Sequence, residues 1–462
     1  MRHLEITIPI LLAVYLLWRH PRPFVIRLLP SAAFLLVLIH LAVEGYRWQM
    51  IPLYLLTTSL TISSLIRIRS ASDWKPIASY LTLILLAVST VLPILLPVPA
   101  IPAPDGLYKV GTRFYELTDP SRQELYSGRE EARRFQIQVW YPAKPAPGDQ
   151  RAHWMNHADI FAHSVSQDIL GLPPFFLDQL ALVKIPAYLD SKVVSSKEKY
   201  PVILFSHGWN GFNGQNTGQA LQLASHGFVV VTVQHPYGAV VTVFDDGTIA
   251  RNNPAALPSD APNEEYDLAA DKLVNQWAGD LSYALDFITE QDADSSSPFF
   301  HELDVSRVGA YGHSTGGGAA IQFCGTDPRC KALLGQDPFM RPVSTEVLEN
   351  GVTQPAFFLF SQAWADDVNS LNNRLFKTFY ANSTNAVGAI SIDGTTHYDF
   401  SDLPLLSPLA SQLGFKGPID GKRVTTIVDD YLLTFFESTL QGKESNLFSQ
   451  QTRKYSEVKM IQ

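Results

Sequence analysis

Hydrophobic residues crowd the first hundred positions of the chain. Four apolar stretches lie there: Ile6–Trp18, Leu28–Val43, Trp48–Ile66 and Ile77–Ile101. A helix needs roughly 20 apolar residues to cross a bilayer core, with a range of about 17–25. The last two stretches have that length, the second has it if it begins slightly before Leu28, and the first is short. The pattern predicts a small transmembrane region of three or four helices over residues 1–101.

Basic residues in the loops between these stretches predict the direction of each helix. The first and third loops hold six of them: Arg19, Arg22, Arg27, Arg67, Arg69 and Lys75. The second loop holds only Glu44 and Arg47. Positive loops stay on the cytoplasmic side, so the second, third and fourth stretches run out, in and out. The sequence therefore predicts an integral membrane protein whose chain beyond Ile101 is extracytoplasmic.

The spans offer one ionisable group, His40, near an end. Because transport pathways usually need buried charges, the region is interpreted as an anchor rather than a transport path or a lipid-entry groove. The segment LPVPAIPAPDG follows, and its prolines favour an extended, semi-rigid connector. We place a linker at 102–109 and one further domain at 110–462.

Beyond Gly106 the pattern changes to alternating strands and helices. The predicted strands are Arg133–Ala143, Tyr200–Gly208, Phe228–His235, Arg307–His313, Lys331–Asp337, Pro355–Ser361 and Asn385–Gly394. Helices are predicted over Gly218–Ser225, Glu265–Thr289, from Thr315, and over about Val424–Leu440. Such alternation predicts a mostly parallel sheet with helices on both faces. Sites of such sheets lie at the carboxyl ends of the strands.

The charge distribution narrows the classes of partner. Eight basic and three acidic residues up to Ala100 make that part +5, so a total of −9 leaves −14 for the rest. An acidic domain without clusters of Lys and Arg argues against nucleic acid binding. No spacing such as H-E-x-x-H indicates a metal site, and no cofactor is expected.

The segment GHSTG carries a candidate nucleophile, Ser314, between Gly312 and Gly316. It matches the G-x-S-x-G turn that follows a strand and opens a helix, with the serine exposed on a tight elbow. In FSHGWNG, the backbone N–H of Trp209 could pair with the N–H of Thr315 to form an oxyanion hole. His207 in that turn is interpreted as structural.

A serine nucleophile needs a base, and the base needs an acid. His397 follows the last predicted strand, whereas His226 and His235 precede the elbow and are weaker candidates. For the acid, the pattern alone leaves Asp337 and the pair Asp366 and Asp367 equally open. Asp393 and Asp399 are too close to His397 in sequence to orient its ring easily.

Several segments, taken in order, resemble the platelet-activating factor acetylhydrolase family of the α/β-hydrolases. They include VGTRFYELTDPSRQELYS, YPVILFSHGWNG, LASHGFVVVTVQHPYGA, GHSTGGGAA, DPRCKALLGQDPF and HYDFSDL, and they span roughly Val110 to Pro404. The resemblance implies an α/β-hydrolase fold, a triad of Ser314, Asp337 and His397, and oxyanion donors at Trp209 and Thr315. It implies no metal. The chain departs from the expected pattern at Thr315, where an aromatic residue is expected, and at Gln336.

Two further features lie beside these motifs. Cys324 and Cys330 flank GTDPR, and an extracytoplasmic domain permits a disulfide there, although Cys324 as a buried small hydrophobe is the alternative. The apolar segment Asp168–Leu189 is interpreted as a core helix, with a cover for the pocket or a lipid-facing surface as alternatives.

The sequence thus predicts a membrane-anchored serine ester hydrolase. The resemblance points to phospholipids with a short or oxidised sn-2 acyl chain. A broad carboxylesterase or polyester hydrolase, and an acyltransferase, use the same residues. A non-catalytic lipid-binding membrane module is the alternative of another class. The expected partners are a lipid or small ester and the membrane.

Overall fold

A computed structural model describes residues 1–18, 21–70, 76–448 and 454–461, without the side chains of 67–70 and 76–78. Among the basic residues that predict orientation, Arg19 and Lys75 lie outside the described residues, as do the side chains of Arg67 and Arg69. The chain divides into two compact units. The helical unit comprises Met1–Ala100, Ala158–Val183 and Leu406–Leu409, and the sheet unit comprises Ile101–His157, Lys184–Leu405 and Ala410–Gln462.

Each of the four apolar stretches folds as a helix. These are α1 (His3–Leu17), α3 (Leu29–Val43), α4 (Ile51–Ser70) and α5 (Pro76–Leu95), with one turn, α2 (Phe24–Arg27), before α3. The prediction that the fourth stretch continues to Ile101 is wrong: the helix ends at Leu95, because Pro97 and Pro99 cannot extend it. By length and hydropathy, Trp48–Ile66 is the one described helical segment that could cross a membrane, and the other apolar helices have 10–17 residues.

A charged network lies inside the helical unit. Glu5, His40 and Arg47 are fully buried. Arg47 donates to Glu5 at 2.9 Å and to the carbonyl of Leu96 at 2.7 Å, and Arg2 also pairs with Glu5 at 2.9 Å. The sequence predicts His40 as the ionisable group within the spans, and the fold adds Glu5 and Arg47, which lie one residue before the first and third apolar stretches and turn inward.

Part of that network has the composition of a metal site. Ligand atoms of Glu5, His40 and Glu44 lie within 4.8 Å of one another. The guanidinium groups of Arg2 and Arg47 already compensate the carboxylates, however. A buried carboxylate needs such a partner, and we interpret this network as structural.

Residues 158–183 belong to the helical unit. They form α6 (Ala158–Ser164), a π turn (Val165–Ile169) and a 3-10 helix (Pro174–Leu182). The indole of Trp48 donates to the carbonyl of Phe176 at 3.1 Å, and Gln49 donates to Gln179 at 2.6 Å. The interpretation of Asp168–Leu189 as one core helix is wrong, since its last residues, Lys184–Leu189, form a strand of the sheet unit.

Twelve strands of the described chain form the main sheet of the other unit. They are β1 (Lys109–Gln123), β2 (Ala132–Lys144), β3 (Arg151–His153), β4 (Lys184–Leu189), β5 (Lys192–Val193), β6 (Tyr200–Ser206), β7 (Val229–Gln234), β10 (Leu303–His313), β11 (Cys330–Gln336), β12 (Ala356–Ser361), β13 (Ala386–Ile392) and β14 (Val458–Met460). Their order is β14-β13-β12-β11-β10-β6-β7-β2-β1-β4-β3, with β5 on β2. A small hairpin pairs β8 (Val241–Val243) with β9 (Ile249–Arg251).

The centre of this sheet is parallel from β7 to β13, as the alternating pattern predicts. β6, β7 and β12 are buried along their whole length, which explains their continuous apolar sequences. β1 and β2 add an antiparallel pair at one side. The predicted α/β-hydrolase architecture, a mostly parallel sheet between helices, is confirmed.

Helices cover both faces of the sheet. They are α7 (Thr217–Ser225), α8 (Asn263–Ala293), α9 (Thr315–Thr326), α10 (Thr345–Asn350), α11 (Gln362–Asp366), α12 (Leu371–Asn382) and α13 (Gly421–Leu440). Successive side chains of a strand point to opposite faces. Phe358 accordingly packs on Phe376 of α12, and Phe357 stacks on Tyr431 of α13.

Candidate active site

Ser314 occupies a strained turn between β10 and α9. Its backbone has φ 56° and ψ −123°, a conformation that non-glycine residues rarely adopt. The flanking glycines make this turn possible. A Cβ on Gly312 would lie 2.1 Å from the carbonyl oxygen of Gly316, and one on Gly316 would lie 2.1 Å from that of Ser206. The G-x-S-x-G pattern therefore serves close approach of strand and helix, and it presents the serine at the carboxyl end of the central strand.

The imidazole of His397 pairs with the carboxylate of Asp337. His397 Nδ1 lies 3.0 Å from Asp337 Oδ2. Asp337 is fully buried just beyond the end of β11, and Ser361 donates to it from its hydroxyl at 2.6 Å and from its backbone at 2.8 Å. An acid so placed can hold the imidazole in one tautomer.

The structure separates the other candidate acids and bases from this pair. Asp366 and Asp367 are exposed. Asp393 pairs with Lys459, and Asp399 accepts hydrogen bonds from the backbone of Thr396 and Gly417. His226 bonds to Gln222, and His235 bonds to Ser206 and Asp280. Of the acids considered from the sequence, Asp337 is the one in contact with His397.

Two aromatic side chains enclose the ring of His397. The indole of Trp364 stacks on one face at 4.6 Å between centroids, and the imidazole of His313 lies 4.4 Å away. His313 Nε2 donates to the carbonyl of His397 at 2.8 Å. Burial, with the neighbouring His397, holds the pKa of His313 well below its usual value. Sequence reasoning missed the roles of His313, Trp364 and Ser361, because their contacts join separate segments.

The loop after β6 approaches the nucleophile. A Cβ on Gly208 would lie 3.3 Å from Ser314 Cβ. In the described chain the backbone N–H groups of Trp209 and Thr315 have no acceptor, which suits donors for an oxyanion. Nor does the Ser314 hydroxyl bond to His397 in the described part of the chain. Such bonds are often long before substrate binds.

The two departures from the expected motif have different surroundings. Thr315 is buried at the first position of α9. Gln336 is fully buried and donates to Gln219 at 3.0 Å. Gln219 in turn donates to the carbonyl of Phe400 at 2.9 Å. Gln336 therefore supports the loop of His397 through a buried network.

Cys324, in α9, and Cys330, the first residue of β11, form a disulfide with 5.1 Å between their Cα atoms. The bond closes the short connection between the elbow helix and the strand that leads to Asp337. It lies at the amino end of β11, away from the carboxyl ends where the candidate triad converges.

These features define the class of protein: an α/β-hydrolase with an arrangement suited to ester hydrolysis. A model of the family described as "Platelet-activating factor acetylhydrolase, isoform II" matches residues 97–457. The chain belongs to this family and is a carboxylic ester hydrolase.

Individual relatives share about a quarter of the aligned residues with this chain. The chain is 27% identical over 368 residues to "Platelet-activating factor acetylhydrolase" of Cavia porcellus, covering 75% of this chain and 79% of that one. It is 24% identical over 393 residues to "Probable 1-alkyl-2-acetylglycerophosphocholine esterase" of Arthroderma benhamiae, covering 78% and 92%. A solved structure of a ferulic acid esterase from Streptomyces cinnamoneus aligns with a TM-score of 0.63 at 21% identity, over 79% of this chain and 99% of that one. That likeness concerns the fold alone.

Proposed function

We propose that this protein is a membrane-anchored serine hydrolase that releases short or oxidised acyl groups from the sn-2 position of phospholipids. The single observation that carries the proposal is the His397–Asp337 pair at 3.0 Å, beside a serine held on a strained elbow. The names of the two relatives, an acetylhydrolase and an acetylglycerophosphocholine esterase, support a short sn-2 acyl group.

The reaction would proceed through an acyl-enzyme. Ser314 Oγ attacks the ester carbonyl while His397 Nε2 takes its proton and Asp337 stabilises the imidazolium. The N–H groups of Trp209 and Thr315 stabilise the negative oxygen of the tetrahedral intermediate. His397 then protonates the leaving alcohol. Water attacks the acyl-serine and gives a proton to His397, and His397 passes that proton to Ser314 Oγ as the carboxylic acid leaves.

The helical unit supplies the proposed anchor. Its surface exposes large apolar side chains such as Phe24, Leu35 and Leu55, which suit contact with lipid. The contacts of Arg2 and Arg47 join the start of α1, the end of α3 and the end of α5. If α1 crosses the bilayer, this shared end is the extracytoplasmic side, because Arg22 and Arg27 lie at the opposite end.

The first experiment measures acyl release from phosphatidylcholines of graded sn-2 chain length by the detergent-solubilised protein. We expect activity to fall steeply with chain length. Ser314→Ala should lower turnover by at least about 10³-fold, while Ser306→Ala, at an exposed serine near the other end of the same strand, should not. Activity on simple esters alone would keep the nucleophile but replace the lipid substrate with a general esterase function. Full activity of Ser314→Ala would contradict the proposal.

The anchor is tested separately. After membranes are washed with alkaline carbonate, the full chain should remain in the pellet. A protease added to intact cells or spheroplasts should cleave the sheet unit. Release of the protein by carbonate, or protection of the sheet unit from external protease, would contradict the anchor or its orientation respectively.

A further inference from the structure

Two hydrogen bonds to its carbonyl group fix the peptide unit between Gly208 and Trp209. The Gly208 carbonyl accepts hydrogen bonds from His207 Nδ1 at 2.7 Å and from the backbone N–H of Gly211 at 2.9 Å. In a planar trans peptide the carbonyl and the next N–H point in opposite directions. Fixing the Gly208 carbonyl therefore fixes the direction of the Trp209 N–H, which the proposed mechanism needs as an oxyanion donor.

The hydrogen bonds of His207 determine its tautomer. The backbone N–H of His235 donates to His207 Nε2 at 3.2 Å, so Nε2 carries a lone pair and Nδ1 carries the proton. His207 is fully buried, and burial, with the neighbouring His235, holds its pKa well below the usual value. The ring is thus neutral in the working pH range, with its single N–H directed at the Gly208 carbonyl.

A second buried network holds the partner of His207. His235 Nδ1 lies 2.9 Å from Asp280, and its Nε2 lies 2.9 Å from the hydroxyl of Ser206. Trp277 stacks on the His235 ring at 4.3 Å, and Arg133 binds Asp280 at 2.6 Å. Ser206, His235 and Asp280 repeat the bonding order of a catalytic triad, yet all three are fully buried and inaccessible to substrate. This buried network therefore stabilises the loop after β6 that contains His207 and Trp209.

We propose that His207 is a positioning residue for the oxyanion hole: its Nδ1–H holds the Gly208–Trp209 peptide so that the Trp209 N–H faces the oxygen bound at Ser314. The inference rests on the proposed function, because the donor matters only if Ser314 forms a tetrahedral intermediate. His207 does not touch the substrate, and its effect on the reaction passes through the peptide.

Three variants separate this role from simple packing. In His207→Asn the side-chain amide nitrogen can occupy the position of Nδ1 and donate to the Gly208 carbonyl. In His207→Gln the amide nitrogen can occupy only the position of Nε2, which does not face that carbonyl. His207→Leu keeps bulk and removes the donor. Losing one oxyanion donor lowers turnover about 10²–10³-fold. Because the Gly211 N–H still holds the carbonyl, we expect the Leu and Gln variants to lose about 10- to 100-fold in kcat, with KM within about threefold.

The measurements are kcat and KM on a short-chain ester, the inhibition constant of a trifluoromethyl ketone, and the melting temperature. The ketone binds serine as a tetrahedral oxyanion, so its affinity should fall in parallel with kcat. Compared with His207→Gln, His207→Asn should have at least about tenfold higher kcat and at least about tenfold higher affinity for the ketone. Equal activity of the Asn and Gln variants, or a folded Leu variant with unchanged kcat and inhibition constant, would overturn the inference. If His207→Leu does not fold, the Asn and Gln pair decides alone.

The two proposals fail in distinguishable ways. An active Ser314→Ala variant would remove the proposed function whatever the His207 variants do. A normal loss in Ser314→Ala, together with indifference to the residue at 207, would keep the hydrolase and remove only the positioning role.

Discussion

Trp364 stacks on His397 with 4.6 Å between ring centroids and 4° between ring planes. The face of an aromatic ring attracts a cation, by about 0.5–1 kcal/mol at exposed sites and about 2 kcal/mol when desolvated. The proposed mechanism makes His397 an imidazolium after Ser314 gives up its proton. The indole therefore lies where it can stabilise the charge that develops during the reaction and can also restrict rotation of the ring.

Trp364→Leu should lower kcat by about 3- to 30-fold, the equivalent of about 0.5–2 kcal/mol. Trp364→Phe keeps an aromatic face and should lose less. Steady-state kinetics on a short-chain ester, with melting temperatures as the folding control, test this. Equal kcat for the Leu variant and the wild type would show that the stacked indole contributes nothing to the reaction.

Ser361 donates to Asp337 Oδ2, the same oxygen that contacts His397. Hydrogen bonds to charged groups contribute about 1.5–3 kcal/mol. Ser361→Ala should therefore lower kcat by roughly 10- to 100-fold with little change in KM, because Asp337 loses one of the groups that orient it. Ser361→Thr keeps the hydroxyl and is the matched control. A threonine variant as impaired as the alanine variant would point to packing at this buried position instead.

Asp402 makes stability depend on pH. It is buried beside the start of α7 and accepts from Gly218 N–H at 3.2 Å, and burial raises its pKa to about 7. Since its pKa is near 3.8 when unfolded, folding favours the protonated form. This group's contribution to the free energy of unfolding therefore falls as pH rises from about 4 to about 7, and stays low above that range.

The side chain of Asp402→Asn cannot ionise, so this variant should not lose free energy of unfolding in this way as pH rises. The variant should gain stability relative to wild type as pH rises from about 4 to about 7, by up to a few kcal/mol, and the difference should level off above about 7. Chemical denaturation of both proteins across this range measures it. A difference that stays constant with pH would mean that Asp402 does not titrate in this window.

The disulfide between Cys324 and Cys330 should stabilise the sheet unit without taking part in the reaction. For the short loop that it closes, chain entropy predicts about 2 kcal/mol. Cys324→Ser with Cys330→Ser should lower the melting temperature by several degrees and leave kcat on a short-chain ester within about twofold. Thiol titration of denatured wild type, with and without reductant, should detect thiols only after reduction. Two thiols without reductant would contradict the bond.

Local sequence determined the elements, the family and the elbow. Strand and helix alternation predicts the parallel sheet because strands buried on both faces need continuous apolar runs, and β6, β7 and β12 have them. The elbow can be predicted from the sequence because it lies within five consecutive residues, GHSTG, whose glycines permit the close approach of strand and helix around Ser314. The four apolar helices can be predicted for the same reason, since each lies within one continuous stretch of sequence. Their crossing of a membrane stays a prediction.

Tertiary structure decided what depends on contacts between distant segments. The pattern left Asp337 and the pair Asp366 and Asp367 equally open, and the choice of Asp337 rested on resemblance. The fold brings Asp337 to His397 across 60 positions of sequence, whereas Asp366 and Asp367 face solvent.

The buried polar networks likewise escape sequence reading. Glu5 meets Arg47 only when the helices pack, and His207 acquires its tautomer only because the backbone of His235 donates to it. A hydrogen bond depends on distance and direction between atoms, and these are set by packing of the whole chain rather than by spacing along it. The sequence by itself therefore determined which chemical groups this protein has and on which elements they lie, while the tertiary structure decided which of them meet.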